Sequence, residues 1–146
     1  MKLEIELVPG PAWENNLRNV LPKSKWNQIR METLAKYGNK CAVCGSTEKL
    51  SCHEIWEYDD GNHIQKLQGF SALCFYCHMI KHIGMAGVLA KEGKMDFDKL
   101  IEHYLKVNEC DFSRFEVQYK TAFKKWKERS KFEWSLDLGE YANGKS

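Results

Sequence analysis

Two Cys-x-x-Cys pairs constrain this chain more than any other feature. Cys41 and Cys44 form the first and Cys74 and Cys77 the second, with 29 residues between them. The tight turn inside such a pair lets two sulfurs and nearby backbone N–H groups converge on one ion, and Gly45 supplies permissive backbone after the first. Two pairs together make a tetrahedral four-thiolate set, the donor chemistry of structural Zn²⁺. All four positions are then filled, so this zinc organises the fold and leaves no open position for chemistry. It also draws the ends of segment 45–73 together. The spacer is longer than that of a simple zinc ribbon, which leaves room for something useful between the knuckles. The plain alternative is four ordinary buried thiols.

Composition supports one packed domain over residues 1–146. Apolar types make up 43% of the 146 residues, aromatics included, enough for one core and too much for a disordered chain. The 22 basic and 20 acidic residues leave a net charge of +2, which excludes a histone-like polycation but permits a local basic face. No run reaches the ~18 apolar residues of a membrane span. The first residues, Met1-Lys2-Leu3-Glu4-Ile5-Glu6-Leu7, carry acids inside their apolar stretch and do not read as a secretory leader. Six cysteines without a leader point to metal sites in a reducing, cytoplasmic setting.

Periodicity places these motifs on elements. Residues 1–8 alternate as a half-buried strand, and Pro9-Gly10-Pro11 ends it. Trp13, Leu17 and Val20-Leu21 suggest a short helix before Pro22. Ser24 reads as the N-cap of a helix over 25–37 that Gly38 closes. Leu50 to Tyr58 is a strand, Asp60-Gly61 a hairpin turn and His63 to Leu67 the return strand. The second knuckle runs into His78-Met-Ile-Lys-His82, the first turns of a helix. Apolar stripes predict further helices over about 96–107 and 112–126, with aromatics 112–126 in the core, and alternation predicts a strand over 132–138.

A second constellation lies between and beside the knuckles. His78 and His82 are four apart, so on a helix they share one face and can grip one ion. The hairpin carries Cys52-His53, and neighbours on a strand point to opposite faces, so one can bind metal while the other points elsewhere. A hydrolytic site needs that division: a metal against the phosphate and a separate histidine to activate water. Singly, His53, His78 and His82 read as strand filler and surface helix residues. Together, on one zinc-pinned hairpin and helix, they read as a site.

Leu50-Ser-Cys-His53-Glu-Ile55 followed by Leu73-Cys-Phe-Tyr-Cys-His78-Met-Ile-Lys-His82 resembles the HNH (His-Me finger) endonuclease pattern with an embedded four-cysteine zinc. The ligand spacing further resembles colicin-type DNases. The resemblance covers about residues 24–84 and leaves a helical extension over about 95–146. It implies an α+β chain, with a ββα-metal core beside the knuckle pair and flanking helices. It also implies metal-dependent cleavage of phosphodiester bonds, usually in DNA, giving 5′-phosphate and 3′-hydroxyl ends. His53 falls on the family's general base, His78 on its metal-binding histidine, and His82 on the additional colicin-like ligand. Cys52 falls where the family has Asp, Glu or His as a ligand. One such site nicks one strand, and a homodimer is one route to a double-strand break.

The sequence departs from the family at two positions. Cys52 is a soft ligand that favours Zn²⁺ over Mg²⁺. Gly69 stands where the family's central Asn braces the loop, with Gln68 and Asn62 as candidate substitutes. The catalytic ion is accordingly open among Mg²⁺, Mn²⁺, Ni²⁺ and Zn²⁺, with Zn²⁺ in the structural site. Glu54, Glu57, Asp59 and Asp60 adjoin the site in sequence. They read either as extra ligands for a hard cation or, for Asp59 and Asp60, as a solvated hairpin tip.

For the nucleic acid itself, Lys120, Lys124, Lys127 and Lys131 recur at helical spacing beside the aromatic stripe. Such a row can track phosphates, or be no more than a solvated helix face. Two functions follow from these residues. One is a metal-dependent DNA endonuclease. The other is a non-catalytic zinc-binding module for DNA or protein, in which Cys52, His53, His78 and His82 hold a second structural zinc or nothing.

Overall fold

The structure, a computed structural model, describes residues 2–12 and 17–141. Its class is α+β. In chain order come α1 (Leu17–Val20), α2 (Lys23–Lys36), β1 (Ser51–Asp59), β2 (Ile64–Leu73), α3 (Phe75–Lys81), α4 (Ile83–Lys91), α5 (Phe97–Asn108), α6 (Phe112–Arg129) and β3 (Ser135–Asp137). The three strands form one sheet in the order β1-β2-β3, with β1 and β2 antiparallel and β3 parallel to β2. None of the described helices is long and apolar enough to cross a membrane.

The hairpin β1–β2 runs from Ser51↔Leu73 at the knuckle end to Asp59↔Ile64 at its tip. Asp59 makes the tip: Oδ1 accepts the Gly61 and Asn62 N–H groups, each at 3.0 Å, and Oδ2 accepts from Asn62 Nδ2 at 3.0 Å. This turn spans residues 60–63, wider than the two-residue turn expected at Asp60-Gly61. The return strand also outruns its expected end at Leu67 and continues to Leu73. Gly69 does not stop it, because a bulge absorbs the irregularity: Ile55 pairs with Gly69 but Trp56 with Leu67, so Gln68 is the extra residue. Gly69 has φ +156°, backbone that favours glycine.

The pleat separates two environments. Cys52 joins a core made with Leu17, Leu21, Trp26, Ile29 and Leu138, into which Trp56, Leu67 and Phe70 also pack. Glu54, on the same face as Cys52, accepts the Leu17 N–H at 3.2 Å and so satisfies an orphan donor at the start of α1. Ser51 and His53 point the other way, toward α3. Helix α3 packs on both long strands and on α5. Around it lies the larger core, in which Leu73, Cys77, Ile80, Ile83, Leu100 and Tyr104 are all at most 2% exposed.

Three further local expectations are corrected. Residues 2–8 alternate in burial, with Leu3 and Ile5 inside, yet they form no strand. Their backbone groups bond to side-chain amides instead of a neighbouring strand. Asn108 exchanges two bonds of 2.9 Å with the Leu3 N–H and C=O, and Gln118 accepts the Ile5 N–H at 2.9 Å and donates to its C=O at 3.3 Å. Helix α2 starts at Lys23 after Pro22, ahead of the expected cap Ser24, and carries no side-chain cap. The expected strand 132–138 shortens to Ser135–Asp137. Trp134 instead anchors the chain by donating Nε1–H to the Arg129 C=O at 2.8 Å. Trp13, expected to begin the first short helix, lies outside the described residues.

The last two long helices follow their sequence signals. Asp96 caps α5 by accepting the Asp98 and Lys99 N–H groups, and Asp111 caps α6 by accepting from Arg114 at 3.0 Å. Leu100 and Tyr104 bury one stripe of α5, and Phe115 and Ala122 one stripe of α6.

Candidate metal centres

The first centre gathers Cys41, Cys44, Cys74 and Cys77, whose sulfurs all lie within 4.8 Å of one another. Cys44 and Cys74 are 3.5 Å apart, close to the ~3.8 Å that tetrahedral Zn–S bonds of about 2.3 Å require. Backbone geometry builds the set from both ends. In the first knuckle the Cys41 N–H bonds the Ser46 C=O at 2.8 Å and the Gly45 N–H returns to the Cys41 C=O at 3.0 Å. Gly45 takes φ +76° to make that return. The Ala42 N–H reaches across to the Ala72 C=O at 2.8 Å, tying the first knuckle to the end of β2. In the second knuckle Cys74 is the N-cap of α3, its sulfur accepting the Cys77 N–H at 3.5 Å.

Three of the thiols, Cys41, Cys74 and Cys77, compete electrostatically. Hydrogen bonds from Cys74 and Cys77 hold the Cys41 thiol well below its ordinary pKa. The same contacts with Cys41 push Cys74 up to about 11 and Cys77 well above the usual thiol range. One thiolate therefore suppresses the next. A bound divalent cation removes that conflict by stabilising all four. The donor set, four sulfurs of which three are buried, suits a metal such as zinc.

Sequence reasoning missed His103. It projects from α5 so that Nε2 lies 3.2 Å from Cys77 Sγ, and its ring stacks on Tyr76 at 5.5 Å. Its only sequence signal is a place one helical turn from Leu100 on a stripe otherwise read as core. A donor on a ligand sulfur tunes and orients that ligand. His103→Ala should therefore weaken zinc binding roughly 10- to 100-fold in competition with a chromophoric chelator. An unchanged affinity would reduce the contact to packing against Tyr76.

The second centre gathers His53, His78 and His82, again with one ring nitrogen from each within 4.8 Å of the others. The ring centroids of His53 lie 5.5 Å from those of both partners, and His78 and His82 are 4.8 Å apart. His53 comes from β1 and His78 from α3. His82 is the break residue between α3 and α4, with φ −113° and ψ 54°, so the helix expected to continue through it ends there and a second begins. Its N–H still bonds the His78 C=O at 3.1 Å. Ser51, two residues before His53 on the same face, places its hydroxyl 3.1 Å from His78 Nδ1. That positioning residue was also missed, although its spacing from His53 is the signal. Burial, reinforced by the neighbouring imidazoles, pulls His53 down to about 2 and His82 to about 4. Both are neutral at pH 7, the form that ligates a metal or accepts a proton.

Cys52 does not join them. The strand pleat that turns His53 toward α3 sends Cys52 into the opposite core, so the expectation of Cys52 as a ligand is corrected. The residues considered as substitutes for the Asn of the resembled motif lie elsewhere as well. Asn62 is committed to Asp59 at the hairpin tip, and Gln68 lines a groove beside α2. Asp60 receives a bidentate bond from Arg129 at 2.8 and 3.0 Å, and Glu54 serves α1, so neither belongs to the histidine cluster. Lys120, Lys124 and Lys127 are exposed on α6. Lys131 lies beyond the helix end and pairs with Glu128 at 3.1 Å, which removes it from the helical row. No family model, curated protein or solved structure matches the chain.

Proposed function

We propose that this chain is a metal-dependent endonuclease of the HNH (His-Me finger) type, with β1, β2 and α3 as its ββα-metal core. The observation that carries the reading is the convergence of His53, His78 and His82, from a hairpin and the helix after it, next to a four-thiol site that fastens both. The zinc centre sets the angle between hairpin and helix, and the histidines sit where those elements meet. Cys74 contributes to both centres: it is a zinc ligand, and it caps the helix that presents His78.

In this reading His78 and His82 hold a divalent cation, and Ser51 fixes the ring of His78. A cation bound there supplies Lewis-acid stabilisation of the charge that develops on the phosphate and the leaving 3′ oxygen. His53, neutral and buried against the pair, accepts the proton of the attacking water. DNA is the substrate, and the lysines of α6 hold its backbone. Incubation of the purified protein with supercoiled plasmid across Mg²⁺, Mn²⁺, Ni²⁺ and Zn²⁺ tests the reading. It predicts nicked circles with at least one metal, and intact plasmid with all four would overturn it.

One observation favours a second reading. The ring nitrogen of His53 lies within the same 4.8 Å set as those of His78 and His82, while Cys52 is absent from it. Three imidazoles on one ion describe a zinc-binding module in which His53 is a ligand and no cleavage occurs.

The lysine row has its own test. Replacing Lys120, Lys124 and Lys127 by Gln should flatten the slope of log affinity against log salt by about 0.9 per lost phosphate contact on duplex DNA. Lys131→Gln, already paired to Glu128, should change the slope far less. An unaltered slope in the triple variant would make the row a solvated helix face.

A further inference from the structure

An apolar groove shares a wall with the histidine cluster. Its volume is about 340 Å³, and its lining includes Leu7 and Val8, His82, Met85 and Val88 of α4, and Phe123 and Trp126 of α6. Met85 is 40% exposed, Val88 53% and Trp126 36%, so this is an open apolar surface. The sequence pattern puts Trp126 in the core. The structure sets it instead at the edge of α6, its ring edge-on to Phe123 at 6.2 Å. Apart from His82, no residue of this groove enters the proposed mechanism.

We propose that the groove receives a nucleobase of the bound strand, unstacked from its neighbours, beside the phosphate held at the histidines. This rests on the nuclease reading of that cluster. Three features select the occupant. His82 belongs to both sites, so anything in the groove lies next to what the imidazoles bind. The occupant must offer an apolar, flat face to Trp126 and Phe123 and yet be attached to a polyanion, because α6 also carries exposed Lys120, Lys124 and Lys127. Segment 114–131 holds seven basic residues against two acids, a charge that complements phosphate and repels a basic peptide. At about 340 Å³ the groove is near the lower end of the ~300–1,000 Å³ of ligand pockets, room for one nucleoside and not for a helix. Bases in a duplex are already stacked, whereas a base in a single strand can turn out at little cost and stack on an aromatic ring. The substrate class is therefore single-stranded or locally opened nucleic acid.

The test uses the full chain with its zinc, with no divalent metal added, and reads binding by fluorescence anisotropy. The probes are a labelled thymidine hexamer, an abasic hexamer with the same number of phosphates, and a G·C duplex of equal length closed at one end by a polyether linker so that it stays paired. The hexamer with bases should bind roughly 5- to 150-fold more tightly than the abasic one, the range of one base stacked on an aromatic side chain. It should also bind more tightly than the duplex. Trp126→Ala should abolish the preference for bases and leave abasic binding unchanged. Val88→Glu, on an exposed helix face where folding is not at risk, should weaken both strands by repulsion and also remove the ratio between them. Phe112→Ala, at a still more open aromatic at the other end of α6, should leave the ratio intact. Equal affinity for the two hexamers, or a preference that survives both groove variants, overturns the proposal whether or not the protein cuts. A base preference lost in Trp126→Ala, without cleavage under any metal, keeps the groove and removes the nuclease reading.

Discussion

Stripping zinc from the protein, or replacing Cys77 by Ser, should unfold the hairpin and α3 and lower the melting temperature by tens of degrees. Structural zinc binds with an apparent free energy of about 10–16 kcal/mol, comparable to the ~5–15 kcal/mol that holds a domain folded, so losing the ion removes most of the margin. Cys77 is the ligand to choose because it is fully buried, touches His103 on α5, and lies one turn into α3. Its loss breaks the four-sulfur set, which a serine hydroxyl does not complete. Cys44→Ser, at the exposed ligand, should cost less but still several kcal/mol. Cys110→Ser is the control, since Cys110 lies outside both metal clusters. Metal analysis should find at least one tightly held zinc per chain. Refilling the stripped protein should release protons, because ordinary thiols are protonated at neutral pH and bind the cation as thiolates. Competition from protons also fixes the pH trend: zinc is lost, and stability with it, as pH falls. A metal-free protein that melts like the native one would overturn the four-thiolate assignment.

The two centres were unequally legible. Four cysteines in two short turns state their own chemistry, because the spacing inside each pair already fixes the local geometry. The histidine cluster needed more. His78 and His82 share a helical spacing, but β1 had to be in register for His53 to meet them, and register depends on a bulge. Gly69 read as a gap in a motif, and the return strand was read only as far as Leu67. In the fold it is the residue that lets β2 carry on past Gln68 to the second knuckle. The Cys52-His53 dipeptide left open which residue faced the metal side. Only packing decides, and Cys52 goes to the apolar core with Trp26 and Ile29. Ser51 and His103 were missed for different reasons. Ser51 lies within the motif but is chemically unremarked without its partner, whereas His103 reaches Cys77 from 26 residues away.

Helices were legible where an apolar stripe ran the length of the element, as in α5 and α6. The amino-terminal segment was not, because alternation reports which side chains are buried and not what pairs with the backbone. Leu3 and Ile5 are inside as the pattern requires, but Asn108 and Gln118 occupy the hydrogen-bonding positions that a neighbouring strand would fill. No local pattern announces an amide side chain acting as a strand from more than a hundred residues away.

His53→Ala separates the two proposed functions by two measurements on one protein. In the endonuclease reading His53 is the base and not a ligand. The variant should keep its zinc, its second metal, its fold and its DNA affinity, and lose nicking by roughly 10²- to 10⁴-fold. The geometry allows that outcome, because His78 and His82 have supports besides the edge contacts of their rings with His53. Ser51 holds His78 at Nδ1, and the backbone bond from His82 to the His78 C=O holds the break between α3 and α4. His78→Ala should behave differently and lose the second metal together with activity. In the module reading His53 is a third ligand to one ion. Removing it should then release the second metal, since a ligand set reduced to two imidazoles binds far more weakly. Metal content by native mass spectrometry and plasmid nicking, read side by side, decide between them. A variant that keeps both metals and cuts at the native rate would remove His53 from either role. A variant that loses the second metal, from a native protein that never nicked DNA, would establish the three-histidine site as structural.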